Sequence, residues 1–568
     1  MKKTIIISLA ILTLLGCLPK TPKYPFRDSR TLDQEAQKIS DALEEYIIGW
    51  HKGELPSEIP NKLLPKGYDD SRFKNFKLVK PENLDANKIW VKRLAHKIDF
   101  NSLYGSFPDP NCTYIVAPVL YAPFGAELKI KGEFPYSRFF DIQVSPALDT
   151  KEYRYDKWAG KGEVAIVDID IEPINGHTNP FLAGAKRDVK NRSYEVTYKM
   201  ALGNPSKLNK AHIPPYRGQG NNRYGSAIQL QGPWGLDKKN GHGRGIWDFG
   251  DVWIRYYGID DIHFPDGGVK LPEMYFELAS GEQFFIIADF EGLIEQSEAT
   301  MANRKIGNRD PSSYNGKNKG WDKQYGIFLQ IAQGVSTALY KEKSKDKEYI
   351  RGLDLGVTGR GENQPIPASL EPHATGCNYI NYMTSSVSIK QGKVFVLTGK
   401  LPTFPNTRKG AKIMQAAQCR YWSMTTYDAD FPFSKIKGLV NTSVMDDEII
   451  LDENRNYIIA YSRKEDRPKN ATKENGITWI DWGTTGTQAF TWRWMSISPD
   501  WEFELSPNEI NLPWAKTTWS GTEYDPSIIG SNQSGFLQEY HPIRHYMTKE
   551  LFENKKTSEF KTGKTIWK

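Results

Sequence analysis

Apolar residues along this chain first recur at helical spacing and then switch to alternation. Ala36, Ile39, Leu43, Tyr46, Ile47 and Trp50 predict an amphipathic helix from Thr31 to about Lys52. Thr31 and Gln34 are placed as a capping box. The polar face of this helix is acidic, which suits packing on a domain better than lying on a membrane. From about Asn111 the period falls to two. NCTYIVAPVLYAPF, GAELKIKGEFP, RFFDIQVS and VAIVDIDIEP are short strand-like runs separated by Gly or Pro. Helical spacing returns from Gln324 to about Ser344, where Ile327, Ile331, Val335 and Leu339 lie every fourth residue. Strands follow again in SVSIKQGKVFVLTGKLPTFP, CRYWSMTTYD, NYIIAYSRK and TQAFTWRWMSIS. Asp452 to Asn456 read as the turn of a hairpin, and Trp492 and Trp494 share one buried strand face. The terminal HPIRHYMTKELFENKKTSEF reads as a short helix and a basic tail.

One phrase occurs twice. Cys112-Thr-Tyr114 leads to Gly125, Gly132 and Pro135, and Cys377-Asn-Tyr379 leads to Gly392, Gly399 and Pro402. The two glycines are seven residues apart in both copies, and the proline follows three later. Arg138-Phe139-Phe140 then answers Arg420-Tyr421-Trp422, with an insertion before the second arginine. The spacing predicts an internal duplication of one β unit. A period this long excludes a solenoid.

A chain of 568 residues exceeds one ordinary core. The pattern divides it into a leader at 1–16, a tether at 17–30 and a helical or irregular segment at 31–100. A first β domain follows at 101–310, a helical connector at 311–355 and a second β domain at 356–568. The expected fold is mainly β: two related jelly-roll-like sandwiches with an N-terminal helix and a few connecting helices. The formal charge of +7 is small for this length, and acids interleave with the bases. No nucleic-acid footprint is read from it.

The first residues, MKKTIIISLAILTLLGC, carry Lys2 and Lys3 ahead of an apolar run too short to span a bilayer. Leu14-Leu15-Gly16-Cys17 resembles the bacterial lipoprotein lipobox. That resemblance implies removal of the leader, acylation of Cys17 and membrane anchoring through lipid. LPKTPKYPFR, with three prolines, follows as a stiff tether. Leu18 after the cysteine resembles an outer-membrane sorting signal. A bacterial envelope location, anchored by lipid and on the outer membrane, is therefore expected.

Candidate chemistry is sparse. Read as a strand, VDIDIEP places Asp168, Asp170 and Glu172 on one face, where they would form a calcium site or a solvated face. No other cofactor is expected. Asp428 and Asp430 alternate in TTYDADF, as a general acid and base would, with Arg420 nearby in sequence. Trp247, Trp253, Tyr256 and Tyr257 suit sugar stacking or a sandwich core. Glu539, His541 and His545 would share a helix face, as zinc ligands or as packing histidines, but they lack the HExxH order. The glycines at 241, 243 and 245 form no P-loop, and no GxSxG elbow occurs. Cys377 with Cys419 is the expected disulfide, if any forms.

DIDIEPINGHTNPFLAGAKRDVKNRSY, LPTFP…CRYWSMTTYD and GFLQEYHPIRHYMT resemble segments of uncharacterised secreted bacterial proteins. The CRYWSMTTYD region also resembles a bacterial domain of unknown function built as a jelly roll. The resemblance implies two jelly-roll-like domains and brings no activity. Three functions are compatible with the residues: a module binding a carbohydrate or other extracytoplasmic ligand, an envelope glycan hydrolase using paired carboxylates, and a structural envelope protein.

Overall fold

The computed structural model describes residues 34–63, 75–93, 109–119, 122–145, 165–200, 209–213, 250–287, 349–350, 357–358, 380–389, 392–428, 443–483, 487–498, 515–518, 521–524, 540 and 543–560. The first half opens with helix α1 (Gln34–His51), strands β1 (Lys77–Val79) and β2 (Val91–Arg93), and a short helix α2 (Ala86–Ile89) between those strands. It continues through β3 (Cys112–Val119), β4 (Glu127–Glu133), β5 (Ser137–Ser145), β6 (Ala165–Val167), β7 (Ser193–Met200) and β8 (Lys210–Ile213). It closes with β9 (Gly250–Ile259), β10 (Glu273–Glu277) and β11 (Gln283–Ile287). The second half comprises β12 (Tyr349–Ile350), β13 (Val357–Thr358), β14 (Ile380–Ser388), β15 (Val394–Lys400), β16 (Cys419–Asp428) and β17 (Ser443–Met445). Then come β18 (Asn456–Ser462), β19 (Ile477–Asp481), β20 (Thr487–Ile497), β21 (Ala515–Thr518), β22 (Gly521–Tyr524), β23 (Ile543–Met547) and helix α3 (Lys549–Asn554).

The chain is mainly β, and each half pairs two sheets across an aromatic core. In the first half a sheet ordered β1-β11-β10-β4-β7-β8 packs on one ordered β2-β3-β9-β5-β6. In the second, β12-β23-β15-β18-β19 packs on β13-β14-β20-β16-β17. The halves repeat each other strand for strand, from β3 to β9 and from β14 to β20. Even an unusual feature recurs: β7 pairs with β8 in parallel, and β18 with β19 in parallel, among otherwise antiparallel partners. The Tyr194 ring meets Phe140 at 5.5 Å across the first sandwich, and Tyr457 meets Trp422 at 6.4 Å across the second.

The repeated phrase now has a physical cause. A side chain at Gly132 would come within 2.7 Å of the Tyr194 hydroxyl, and one at Gly399 within 2.6 Å of the Tyr457 hydroxyl. In each copy a tyrosine from the neighbouring strand lies flat over a glycine, so no side chain fits beneath it. The proline bends the chain out of the sheet, and an arginine collects the carbonyls it frees. Arg192 donates Nε to Phe134 O at 2.6 Å, and Arg455 donates Nε to Leu401 O at 2.9 Å. Gly125 and Gly392 share a letter for different reasons. Gly125 is left-handed at φ 87, whereas Gly392 abuts the backbone of Met547.

Register corrects the repeat at one place. Cys112 lies opposite Tyr257 and Ile380 opposite Met495, and those partners are themselves equivalent. Cys112 therefore matches Ile380 rather than Cys377, and Tyr114 matches Tyr382, each opposite an arginine (Arg255 and Arg493).

Leu43, Tyr46 and Ile47 of α1 are buried in the first core, as their spacing predicts. The turn at Asp452 also forms: its carboxylate accepts from the Asn454 and Asn456 amides at 2.9 and 2.7 Å. The predicted helix 324–344 lies outside the described residues. HPIRHYM departs from expectation, because Ile543–Met547 is strand β23, added to the edge of β15. His545 therefore lies on a strand and not on the predicted helix, while Glu539 and His541 lie outside the described residues. The outer sheet faces also diverge between the halves. On β4, Glu127, Lys129 and Lys131 form ion pairs on the outer face, with Lys210, Glu277 and Glu195 among the partners. On β15 the same face carries Val394 and Val396, and Phe552 of α3 and Phe560 pack over it.

Gly399→Ala should destabilise the protein by about 1–3 kcal/mol through overpacking against Tyr457. In urea unfolding, adding Tyr457→Phe to that variant should recover part of the loss, because the nearest clashing atom is gone. Equal stability of Gly399→Ala and wild type would refute the tyrosine-over-glycine packing.

Candidate functional site

Where the halves meet, two ion pairs cross. Arg138 opens β5 of the first half and reaches Asp446, which follows β17 of the second. Arg420 opens β16 of the second half and reaches Asp168, which follows β6 of the first, at 3.2 Å. Arg138 and Arg420 are equivalent residues, as are Asp168 and Asp446, so the second bond is the first with the halves exchanged. Each carboxylate also anchors its own half. Asp168 accepts the Phe140 amide at 2.8 Å, and Asp446 accepts the Trp422 amide at 3.3 Å.

The local sequence explains the geometry. β6 and β17 are only three residues long, and each breaks at once into a 3-10 turn, Asp168–Asp170 and Asp446–Glu448. The turn swings its first aspartate inward beneath the sheet. Asp447 extends the second bond, meeting Arg138 at 3.2 Å and Arg408 at 3.0 Å. Around the ions the seam is apolar. Met414, Tyr421, Met445 and Met495 of the second half belong to the first half's core, and the Tyr421 ring lies 5.4 Å from Tyr257. Gly258, at φ 60, passes so close that an added Cβ would sit 3.2 Å from Met445 Cε.

A second buried network breaks the symmetry. In the first half Arg255 binds Asp141 beside it on the sheet and donates to Gln143 at 2.9 Å. In the second half the residue equivalent to Asp141 is Ser423. The carboxylate comes instead from Asp109 of the first half, which accepts from Ser423 at 2.6 Å and Tyr421 at 2.9 Å, with Arg493 at 3.7 Å.

Burial is the largest influence on both crossed carboxyls and pushes each up to about 6, against the lowering pull of its arginine. Burial likewise lowers Arg420. Both thiols at the seam, Cys112 and Cys419, are pushed up by burial, which keeps them protonated and unreactive.

The predicted site residues disperse. Asp168, Asp170 and Glu172 do not share a strand face, because the strand ends at Val167. Asp168 is buried on Arg420, Asp170 is half-buried, and Glu172 is exposed. Among the described residues no group of three or more His, Cys, Asp or Glu side chains could share a metal ion. Trp253 and Tyr256 are buried in the first core and turn no ring face to solvent. Arg420 holds Asp168 and the Phe181 carbonyl. Asp428 ends β16 opposite Gln488, while Trp247, Asp430 and Cys17 lie outside the described residues. Trp482, Trp492 and Trp494 fill the second core, as the shared strand face predicts for the last two. Cys419 is a free thiol that donates to Tyr421 O and Met495 O, while Cys377, its expected partner, lies outside the described residues. Asp109 and Asp446 were not among the predicted residues. The aligned stretches AIVDID and SVMDDE carried the signal for Asp446.

No family model matches the chain, and no curated protein matches it. Among solved structures it is similar to an uncharacterised protein from Burkholderia cenocepacia, at 10% identity and a TM-score of 0.34, over 82% of this chain and 94% of that one. It is also similar to a Vibrio parahaemolyticus protein, at 9% identity and a TM-score of 0.27, over 82% and 93%. Among the described residues no helix is long and apolar enough to cross a membrane.

Asp446→Ala should cost up to about 3–5 kcal/mol, since it takes the nearer carboxylate from buried Arg138 and leaves only Asp447 at 3.2 Å. Replacing both partners, Arg138→Met with Asp446→Leu, should cost distinctly less. Equal losses for the single and double variants would mean the pair is not coupled. A second expectation concerns pH. A carboxyl at 3.8 unfolded and about 6 folded binds more protons in the folded state between those values. Its contribution to stability is therefore fullest in acid and falls as pH rises through 6. Asp168→Asn should flatten this dependence, making the change in Tm between pH 5 and 7 smaller than in wild type; identical slopes would contradict it.

Proposed function

We propose that this chain is a lipid-anchored bacterial envelope protein whose two β-sandwiches act as one rigid extracytoplasmic binding body rather than as a glycan hydrolase. The observation that carries this reading is the crossed pair of buried Arg–Asp bonds. A hydrolase needs a carboxylate open to substrate and a second one poised across from it. Asp168 and Asp446, whose perturbed acidity would otherwise suggest catalysis, are engaged across the seam and supply no such pair, which leaves Asp428 and Asp430 to the turnover test below. A body welded in this way presents a surface of fixed geometry. Such a surface suits recognition of a polysaccharide or another envelope component, because a preorganised surface loses little freedom on binding. The leader and Cys17 supply the anchor, and the proline-rich stretch after it links the lipid to the body.

Two measurements test this. Mass spectrometry of the mature N-terminal peptide should find Cys17 acylated, and Cys17→Ala should release the protein from the membrane fraction. A thermal-shift panel of envelope and environmental polysaccharides should give a ligand that stabilises the fold by about 2.7 kcal/mol at 100 times its dissociation constant. That ligand should be recovered uncleaved. Turnover of it, abolished by Asp428→Asn, would replace the binding reading with the hydrolytic one.

A further inference from the structure

The two halves differ in length at several connections, and two of the longer ones meet. Between β4 and β5 the chain passes directly from Glu133 to Ser137, but between β15 and β16 it runs from Lys400 to Cys419. Conversely, the path from Asp170 to β7 is long, whereas that from Glu448 to β18 is short. The two longer connections form an antiparallel ribbon across the seam. Gly184 donates to Met414 O at 2.8 Å, Met414 to Ala185 O at 2.8 Å and Arg187 to Lys412 O at 3.0 Å, with Lys186 bridged to Ile413.

Strand alternation gives the ribbon two faces. Arg187 and Met414 point inward and are buried. Lys186 and Ile413, directly opposite one another, point outward. A solvated ribbon would be polar there, yet Ile413 is 49% exposed and Leu182, just before the ribbon, 46%. Lys186, Lys190 and Lys409 are exposed around them, Lys412 is exposed although it lies opposite Arg187, and Asp188 is the single exposed acid in 182–190. No acid occurs between Leu401 and Gln418.

The geometry points to this ribbon as a docking face for an anionic lipid bilayer. Lysines attract the anionic headgroups while Leu182 and Ile413 enter the headgroup boundary. The inference rests on the lipid-anchored reading for its biological setting. Between Cys17 and Gln34 there is chain enough, on the order of 55 Å fully extended, for the body to lie on the membrane that holds it.

The test uses the mature chain from residue 17 with Cys17→Ser, so that acyl chains contribute nothing. Co-sedimentation with vesicles of phosphatidylcholine plus phosphatidylglycerol should show binding that weakens with salt, and vesicles of phosphatidylcholine alone should show little. Reversing Lys186, Lys190, Lys409 and Lys412 to Glu should weaken binding at least about tenfold. Reversing Lys464, Lys469 and Lys473, exposed elsewhere on the second half, should leave most of it. Leu182→Ser with Ile413→Ser should weaken binding without changing its salt dependence, and an unchanged Tm would show that variant to be folded. Absence of binding, equal binding to neutral vesicles, or equal loss in the control variant would each overturn the assignment. An acidic protein partner for this ribbon would appear as the first of these. Acylation of Cys17 is read separately, so failure here leaves the anchoring result standing.

Discussion

A guanidinium and a carboxylate taken out of water lose several kcal/mol of hydration apiece, which only a well-made partner offsets. This chain does so twice at one seam, and neither half can do it alone. The arginine of each half finds its carboxylate in the other, so the halves are mutually required at the level of single side chains. The surrounding arrangement follows from this. The 3-10 turns after β6 and β17 exist where an aspartate must swing inward. Gly258 must lack a side chain so that Met445 and Tyr421 can close over the ions. The first core extends without a break into residues of the second half.

Crossed, equivalent bonds are what an isologous contact between two copies of one unit produces. Joining the copies in one chain removes the need for them to remain identical, and they have diverged where identity was not required. Ser423 stands where the first half has the carboxylate of Asp141, and Asp109 reaches across to serve Arg493 instead. The outer face of β4 is charged and held by ion pairs, whereas that of β15 is apolar and covered by α3 and Phe560. The crossed pairs did not diverge, since altering either partner alone strands a buried charge.

Much of this architecture was legible in the sequence, because strand period, turn residues and the repeated glycine–proline phrase are local signals. The mainly β class, α1, the Asp452 turn and the buried face of Trp492 and Trp494 all come from such signals. The seam was not legible, because it depends on contacts some 250 to 300 residues apart. VDIDIEP alternates like a strand, and only the need to bring Asp168 under Arg420 ends that strand at Val167. The aromatic residues Trp253 and Tyr256 have the composition of a sugar platform, but both were drawn inside by the sandwich they help to fill. Cys377 seemed to match Cys112 because both precede a tyrosine by two, yet pairing with β9 and β20 sets the match three residues later.

The same logic explains why the ribbon stands out. Beneath the ribbon the seam is closed by its own chemistry, with Met414, Tyr421, Met445 and Met495 buried in the first core and Arg138 and Arg420 each on a carboxylate. The two longer connections contribute their inward side chains, Arg187 and Met414, to that closure. Their outward positions were left unconstrained by folding. Lysines and glutamates would have satisfied solubility there equally well, as they do on the outer face of β4. Instead those positions carry lysine beside isoleucine and leucine with a single acid among them. That combination of charge and apolar side chains is what the proposed bilayer contact would use.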